Sequence, residues 1–566
     1  KPTAENPLFV NLFMNSNLRT EANVASSLQL NDKWSTVMMA HFSKDNMKHD
    51  ENDDTFRDDP MTQQVNFDNR WLYFNPDGTQ VRFGFKVMSD TRIGGHKDYE
   101  EGMNERTASV VEDGKDPMFG EAYSMGIWGN EIHNTGISGF FKLGIPLNED
   151  QSKNIAFVAD YSYYDMESTY GLKDFGGYQN MGFFNAMYHH DVNENHKYTL
   201  GLSGRYDDIH SNYASYKPSG NASSPVADIK RLDFRTDDKV VGAYGEYTYT
   251  LDEKISLVAG FRADYSSMFG WQVAPRASFK YSFSDQTILR LTGGRGFRTP
   301  EVVTDNLGVL SSGRELKIAD NLQAEDAWTF GGNFTQYFRI GDRESNYFSF
   351  DYFRTQFTQQ MVVDYEHLAN AIDFYALDGN RSFTDNYQLD FSVDPVERFN
   401  ITATFRYTNA MIELAGQGLV EKPMTSRFKG VLNLQYATNL NKWIFDFTAS
   451  LNGSCRVYNF MEHLNEDGTM TSNPKEGVAR MYKNGRTPVY PLLYAQVTRR
   501  FKGWDVYAGV ENMTNFRQKD VILGYSRNVD GIVDPTQPSF DASCIWGPLM
   551  GFKAHIGFRF TLWKKA

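Results

Sequence analysis

The stretch VVGAYGEYTYTL, residues 240–251, alternates between two kinds of side chain. Small and aromatic residues occupy one face and more polar residues the other, in the order Ala243, Gly245, Tyr247 and Tyr249 against Tyr244, Glu246, Thr248 and Thr250. A turn at 252–254 leads into a second alternating segment, ISLVAGFRADY, at 255–265. Because strand side chains point alternately to opposite faces, this sequence predicts an antiparallel β-hairpin.

The same pattern repeats along the chain, with connections of two distinct lengths. Short polar turns occur near 31–33, 75–78, 148–153, 193–195, 284–285, 341–343, 394–398, 439–441 and 502–503. Between them lie longer loops near 44–64, 91–118, 167–178, 211–236, 296–325, 364–380, 412–425, 455–487 and 514–551. Short turns at one rim and long loops at the other are typical of outer-membrane barrels.

The repeat predicts an all-β fold, a large antiparallel transmembrane β-barrel with long extracellular loops. We count about 21 strands of roughly 9–15 residues, the length that crosses a bilayer when tilted. The first recognised strand, 20–30, and the last, 552–563, run in the same direction. Since a closed antiparallel barrel of this kind needs an even number, one strand is expected to be missing at the front, giving about 22 in the intact barrel.

Composition restricts the alternatives. The 566 residues carry a net charge of −14, which argues against nucleic-acid binding because phosphate recognition needs a basic face. Mean hydropathy is −0.53, and no run of about 18 apolar residues occurs, so membrane-spanning helices are excluded. The two cysteines, Cys455 and Cys544, exclude a disulfide scaffold; they are expected to be separate thiols, with pairing in an oxidising compartment as the alternative.

The terminal segment HIGFRFTLW, 555–563, predicts the strand that closes the barrel. Ile556, Phe558, Phe560 and Leu562 form an apolar stripe suited to lipid, whereas Gly557, Arg559 and Thr561 occupy the opposite face.

Several segments resemble a known family. GRGFRTP at 294–300, ADNLQAE at 319–325 and GVENMTN at 509–515 are similar to three sequence boxes of TonB-dependent outer-membrane receptors. Further segments resemble the Bacteroidetes branch of that family: NRW at 69–71, KP at 422–423, FDAS at 540–543 and WGP at 546–548. The resemblance covers essentially the whole chain.

This resemblance implies a 22-stranded barrel that imports a scarce nutrient with energy supplied by TonB. Family members also carry a TonB box and a plug domain inside the lumen, and neither is recognisable in this sequence. Residues 1–566 are therefore interpreted as the barrel domain, with the plug and the first strand upstream. The expected partners are the TonB complex, reached through a separate or cleaved plug, outer-membrane lipids, and a surface lipoprotein lid of the kind this branch often has.

One acidic loop has the spacing of a calcium site. Asp50, Asn52, Asp54, the carbonyl of Phe56 and Asp58 stand at positions one, three, five, seven and nine of a D-x-N-x-D loop. Thr55 replaces the usual glycine and Met61 the usual glutamate. The loop is predicted either to bind calcium, the only cofactor expected, or to be a solvated acidic loop.

The ligand site is expected in the long loops, with Arg298, Tyr213 and Tyr216 lining a vestibule for a bulky chelate. Aromatic girdles at the membrane rims are the alternative explanation for the tyrosines. We rank cobalamin or a related metal chelate first, then a ferric siderophore, with haem lower because Glu301 to Ile318 contain no histidine. A passive diffusion porin and a soluble glycan-binding β-protein are the competing classes, and no catalytic set is recognised, so we predict a protein that is not an enzyme.

Overall fold

The computed structural model describes residues 7–104, 121–125, 127–219, 226–368, 371–458, 485–519, 521–522 and 541–562. The strands of its first half are β1 Leu8–Asn15, β2 Thr20–Gln29, β3 Trp34–Asp45, β4 Met61–Phe74, β5 Gln80–Gly95, β6 Gly129–Pro146, β7 Lys153–Tyr170, β8 Lys173–Asp191, β9 His196–Ser219, β10 Val226–Leu251, β11 Ile255–Ser266, β12 Gly270–Ser284 and β13 Thr287–Arg298. The remaining strands are β14 Glu315–Ile318, β15 Glu325–Ile340, β16 Arg343–Gln359, β17 Met361–Asp364, β18 Ala371–Ala376, β19 Ser382–Val396, β20 Phe399–Leu414, β21 Gly418–Glu421, β22 Phe428–Ala437, β23 Trp443–Asn452, β24 Tyr490–Arg500, β25 Trp504–Glu511 and β26 Lys553–Leu562.

Helical structure is confined to short pieces in the described part of the chain. These are α1 Glu121–Ser124 and the 3₁₀ segments Thr304–Ser311 and Asn439–Asn441. No helix among the described residues has the length and hydropathy needed to cross a membrane.

The barrel strands pair antiparallel in chain order and form a closed ring. The ring runs through β1 to β13, then β15, β16, β19, β20 and β22 to β26, and β26 pairs back with β1. The ring therefore has 22 strands, the even number predicted from the common direction of the first and last recognised strands. Strand β21 pairs only with the outer end of β20, and β14, β17 and β18 form a separate three-stranded sheet.

The predicted strand count for this chain was one too low. The strand expected to lie upstream is Leu8–Asn15, which pairs with β2 on one side and β26 on the other. It is an eight-residue strand with apolar residues on both faces, because Phe9 and Phe13 lie opposite the lipid-facing Leu8, Val10 and Leu12, so the alternation that marks a strand is weak in its sequence. Only the four residues 16–19 separate it from β2.

Two of the predicted long loops are strands. Residues 167–178 contain a tight reversal between β7 and β8. Residues 211–236 contain the outer ends of β9 and β10, whose pairing extends from His196 opposite Tyr249 to Ser219 opposite Val226. Beyond the bilayer both faces of a strand contact water or other protein, so polar residues occur on each face. The alternation that marks a strand is then lost from the sequence, although the pairing continues.

Register assigns one face of each strand to lipid and the other to the lumen. At the closure, Leu8, Val10, Leu12 and Met14 share a face with Leu562, Phe560, Phe558 and Ile556. Leu12 and Ile556 are 46% and 56% exposed, as expected of side chains that lie against acyl chains. The predicted terminal stripe is thus confirmed, and the hairpin at 240–265 shows the same division, with Val241 and Phe261 outward and Tyr244 and Arg262 inward.

Aromatic side chains follow the rim with the short turns. Trp34 contacts Tyr73 with ring centroids 5.0 Å apart, and Phe501 stacks on Trp504 at 3.9 Å. All four residues lie next to a short turn, which is where an aromatic girdle is expected in a membrane barrel.

A side chain crosses the seam between the last strands and the first. The ring of Tyr507 on β25 lies over Gly557 on β26, and its hydroxyl donates to Asn11 Oδ1 on β1 at 3.1 Å. A Cβ at Gly557 would come within 2.0 Å of the Tyr507 ring, so only glycine leaves room for this arrangement.

Candidate functional site

Loops from several parts of the chain fold together inside the mouth at the long-loop rim. We call this assembly the cap and define it by the described residues of 46–60, 96–104, 299–324, 360–381 and 541–552. Its apolar core includes Val309, Leu310, Leu316, Ile372 and Phe374, each at most 1% exposed. Phe175 of β8 and Tyr213 of β9 belong to the same cluster. Both occupy inward-facing positions, so the cap packs against the inner wall of the barrel.

A buried ion pair joins two cap segments that are far apart in sequence. The guanidinium of Arg314 lies 3.0 Å from Asp541 Oδ2, and the two side chains are 2% and 0% exposed. The second arm of Arg314 donates to the carbonyl oxygen of Tyr365 at 2.7 Å, and the backbone amide of Ala542 donates to Ser311 O at 2.9 Å. Since removing one partner of a buried pair leaves an uncompensated charge, this contact fixes the relative positions of three cap segments.

Lys173 at the outer end of β8 fixes one of these segments to the wall. Its ammonium donates to the carbonyl oxygens of Val309, Ser312 and Arg314 at 3.4, 2.5 and 2.8 Å. The lysine is only 4% exposed. An ammonium has three donors and no acceptor, so this cluster of carbonyls satisfies it completely.

A cavity of about 350 Å³ lies between the cap and the outer ends of the barrel strands. Tyr365 and Tyr458 stack at its edge with ring centroids 4.3 Å apart, and Arg314 lies over the Tyr365 ring at 5.2 Å. Burial raises the pKa of Tyr365 well above its usual value, so its hydroxyl stays protonated at neutral pH. The other lining residues include Arg298, Asp305, Glu325, Met361, Val363, Glu366, Ile412, Leu414, Lys422 and Pro423.

Three of the family-like segments meet at this cavity. Arg298 belongs to the segment at 294–300 and forms an ion pair at 2.7 Å with Glu325, the last residue of the segment at 319–325. It also pairs with Asp305 at 3.2 Å. Lys422 and Pro423 form the third segment. A wall that combines charged, aromatic and aliphatic side chains suits a ligand with both polar and apolar surface.

The structure does not bring together the three predicted substrate-binding residues. Arg298 lines the cavity, whereas Tyr213 is 1% exposed within the cap core. Tyr216 is three positions further along β9 and therefore points to the opposite, outward face. Contact of each residue with a ligand stays a prediction.

The predicted calcium loop is ordered by its own backbone. Asp50 accepts hydrogen bonds from the amides of Asp54 and Thr55, both at 3.1 Å, and forms an ion pair with Lys97 at 3.0 Å. Asn52 Oδ1 accepts from the Asp54 amide, and Asp54 Oδ1 from the amide of Phe56, whose ring is buried in the cap core.

Asp58 accepts from the Glu51 amide at 2.6 Å, and burial raises its pKa to about 6. Among the described residues, no group of three or more His, Cys, Asp or Glu side chains is placed to hold a metal ion. Calcium at this loop stays a prediction.

Sequence reasoning missed the residues that hold the cap together. Arg314, Tyr365 and Lys173 lie in segments without periodicity or a recognisable motif. Asp541 lies in the segment FDAS, which resembles the family, but no role could be predicted for that segment.

The closed 22-stranded ring with a lipid-facing apolar belt defines this protein as an integral β-barrel of the outer membrane. The family model described as "TonB dependent receptor-like, beta-barrel" matches residues 64–513. The chain therefore belongs to the β-barrel family of TonB-dependent receptors, whose members are transport receptors that depend on TonB. The long-loop rim is accordingly the extracellular side.

Solved structures share the fold at low sequence identity. A complex of FpvAI with pyocin S2 has a TM-score of 0.66 and 11% identity, covering 99% of this chain and 74% of that chain. The siderophore receptor PirA from Pseudomonas aeruginosa has a TM-score of 0.60 at 11% identity, with 99% and 81% covered. The siderophore receptor PiuA from Acinetobacter baumannii has 0.65 at 10%, with 98% and 81% covered. No curated protein sequence matches the chain.

Proposed function

We propose that this receptor imports a ferric siderophore or a similar bulky metal chelate across the outer membrane. The observation that carries the proposal is the cap, which folds inside the mouth and forms a cavity against Arg298, Lys422 and the Tyr365–Tyr458 pair. A passive pore has no need for a packed, ligand-sized cavity at its entrance. Two of the structural neighbours described above are named siderophore receptors, which supports the same cargo class. Cobalamin, ranked first from sequence, is the alternative chelate.

We further propose that TonB acts on this receptor through a plug domain that fills the lumen. The lumen faces of the strands support this, because they are polar and would otherwise surround an aqueous channel. A surface lipoprotein lid and membership of the Bacteroidetes branch, both implied by the sequence resemblance, belong to the same proposal.

The direct test is ligand binding by the purified receptor in detergent. Tryptophan quenching would be measured with a ferric hydroxamate, a ferric catecholate, cobalamin and haemin. We expect one ferric chelate to bind, and Arg298→Ala to weaken that binding at least about tenfold, since its guanidinium lines the cavity. Arg339→Ala is the matched control, because Arg339 pairs with Glu344 beside a short turn at the periplasmic rim.

The outcome also separates the competing functions. Binding of haemin alone would favour a haem receptor. Failure of every chelate, combined with free diffusion of small sugars through receptor-containing vesicles, would favour a porin and refute the proposal.

We also propose that Ca²⁺ binds the loop from Asp50 to Asp58. The support is the concentration of side-chain oxygens from Asp50, Asn52 and Asp54 within a few residues. Calorimetric titration with CaCl₂ should show binding that Asp54→Asn weakens and that Asp252→Asn, at a distant turn, does not change. Absence of heat in the unmodified receptor would refute calcium binding.

A further inference from the structure

Contacts of several kinds hold the cap in its position inside the mouth. The ring stacks and apolar contacts of the cap are spread over many residues. One buried contact reaches from the loop after β13 to both the loop after β16 and the loop before β26. This contact is the buried pair Arg314–Asp541 with its bond to the Tyr365 carbonyl.

We infer that the Arg314–Asp541 ion pair is a latch that keeps the cap closed and positions Tyr365 and Tyr458 as the wall of the ligand cavity. The two residues are 227 positions apart in the chain, so the pair can form only when the two loops meet. The inference rests on the proposed function for its meaning in transport, but the latch itself is a property of the protein without ligand.

The geometry shows how the latch reaches the cavity. One arm of the Arg314 guanidinium contacts Asp541, and the other donates to the Tyr365 carbonyl. The plane of the same group lies over the Tyr365 ring, which stacks in turn on Tyr458. Asp541 therefore acts on the cavity wall through Arg314, as a positioning residue rather than a ligand contact.

The segment that carries Asp541 is held by contacts at Ser543 and Cys544. Asp541 Oδ1 accepts from the amide and hydroxyl of Ser543 at 2.9 and 2.6 Å. The Cys544 carbonyl accepts from Gln518 Nε2 at 2.8 Å, and the Cys544 thiol is 1% exposed against Met424 and Val457. The family-like segment FDAS thus obtains a role, which is to present the carboxylate of the latch from a fixed position.

The native cysteines supply a reporter that needs no ligand. Cys544 lies three residues from the latch and Cys455 is 5% exposed elsewhere at the same rim. A maleimide can reach Cys544 only when the cap opens, so its labelling rate measures the open population when reclosing is fast. Peptide mass spectrometry assigns the label to each thiol in the full-length receptor.

We expect Asp541→Asn to raise the labelling rate of Cys544 at least about tenfold, because it leaves a guanidinium buried without its carboxylate. Arg314→Lys should raise it less, since it keeps a charge but loses the two-armed geometry. The control is Glu413→Gln, which breaks an exposed pair with Arg381 at the same rim and should change little.

Heat-modifiable mobility on gels verifies that each variant retains the closed barrel. If Asp541→Asn does not assemble, Arg314→Lys decides the question alone. Labelling rates within twofold of the unmodified receptor in an assembled latch variant would overturn the inference. Equal acceleration by Glu413→Gln would overturn it as well, because the cap would then respond to any loss of charge at the rim. Accelerated labelling of Cys544 in a receptor that binds no chelate would support the latch and refute the proposed function instead.

Discussion

A substitution that places one charge on either face of a strand tests the central assignment of lipid and lumen faces. Phe405 on β20 points outward, opposite Leu389 and Gly430, and is 48% exposed. It lies six residues after Phe399, where β20 begins. At about 3.3 Å per residue and a tilt of about 45°, this places it about 14 Å above the periplasmic rim, near the middle of an apolar band about 25 Å tall.

Phe405→Arg should therefore lower the free energy of unfolding by about 2–4 kcal/mol, the cost of an arginine at the bilayer midplane. The neighbouring Thr404→Arg introduces the same side chain on the lumen face. The Thr404 hydroxyl already donates to Asp390 at 2.6 Å, so the new guanidinium has a carboxylate within reach. Its cost should stay below about 1 kcal/mol.

Both variants would be unfolded with urea in lipid vesicles and followed by tryptophan fluorescence. Heat-modifiable mobility would report the closed ring independently. Equal losses of unfolding free energy in the two variants would show that the faces of β20 are not divided between lipid and water. That result would refute the assignment of a membrane-spanning barrel.

Three further predictions concern the seam and the cap. Gly557→Ala should cost about 1–3 kcal/mol in the same urea assay, because its Cβ would displace the Tyr507 ring, whereas Gly144→Ala, with no atom within 4 Å, should be neutral. Lys173→Met should reduce the local stability of the cap by about 1–3 kcal/mol, since three buried carbonyl oxygens lose their donor. Hydrogen exchange of the 3₁₀ segment measures this loss, and unchanged exchange would contradict it. Burial raises the pKa of Asp58 to about 6, so its protonated form is favoured in the folded cap. The stability of the cap, measured as protection from hydrogen exchange, should therefore rise by on the order of 2 kcal/mol as the pH falls from 7 to 4. Asp58→Asn should abolish this rise in stability.

The barrel could be predicted because its information is local and repeated. A hairpin such as 240–265 carries its period of two, its turn and both of its faces within one short segment. Each further hairpin repeats the evidence, so an error in one strand leaves the others intact. The strand at Leu8–Asn15 was missed because Phe9 and Phe13 on its lumen face weaken the apolar–polar alternation.

The cap could not be predicted, for the opposite physical reason. Its contacts join residues such as Arg314 and Asp541, which no local pattern connects. The predicted vestibule residue Arg298 does line the cavity, since it ends a strand whose direction and rim were already known. Tyr213 and Tyr216 were grouped as loop residues, but β9 continues through both of them. They line a cavity at the outer ends of β7 to β10, which is not the cavity that Arg298 lines.

The pairing of β1 with β26 has a consequence for how this protein is made. Nearly the entire polypeptide must arrive before residue 8 can meet residue 562, and until then the nascent wall presents two open edges of unsatisfied amides and carbonyls. Such edges are templates for pairing with any other chain nearby. Ring closure pairs both edges at once, so a defect in any single strand leaves the whole barrel open.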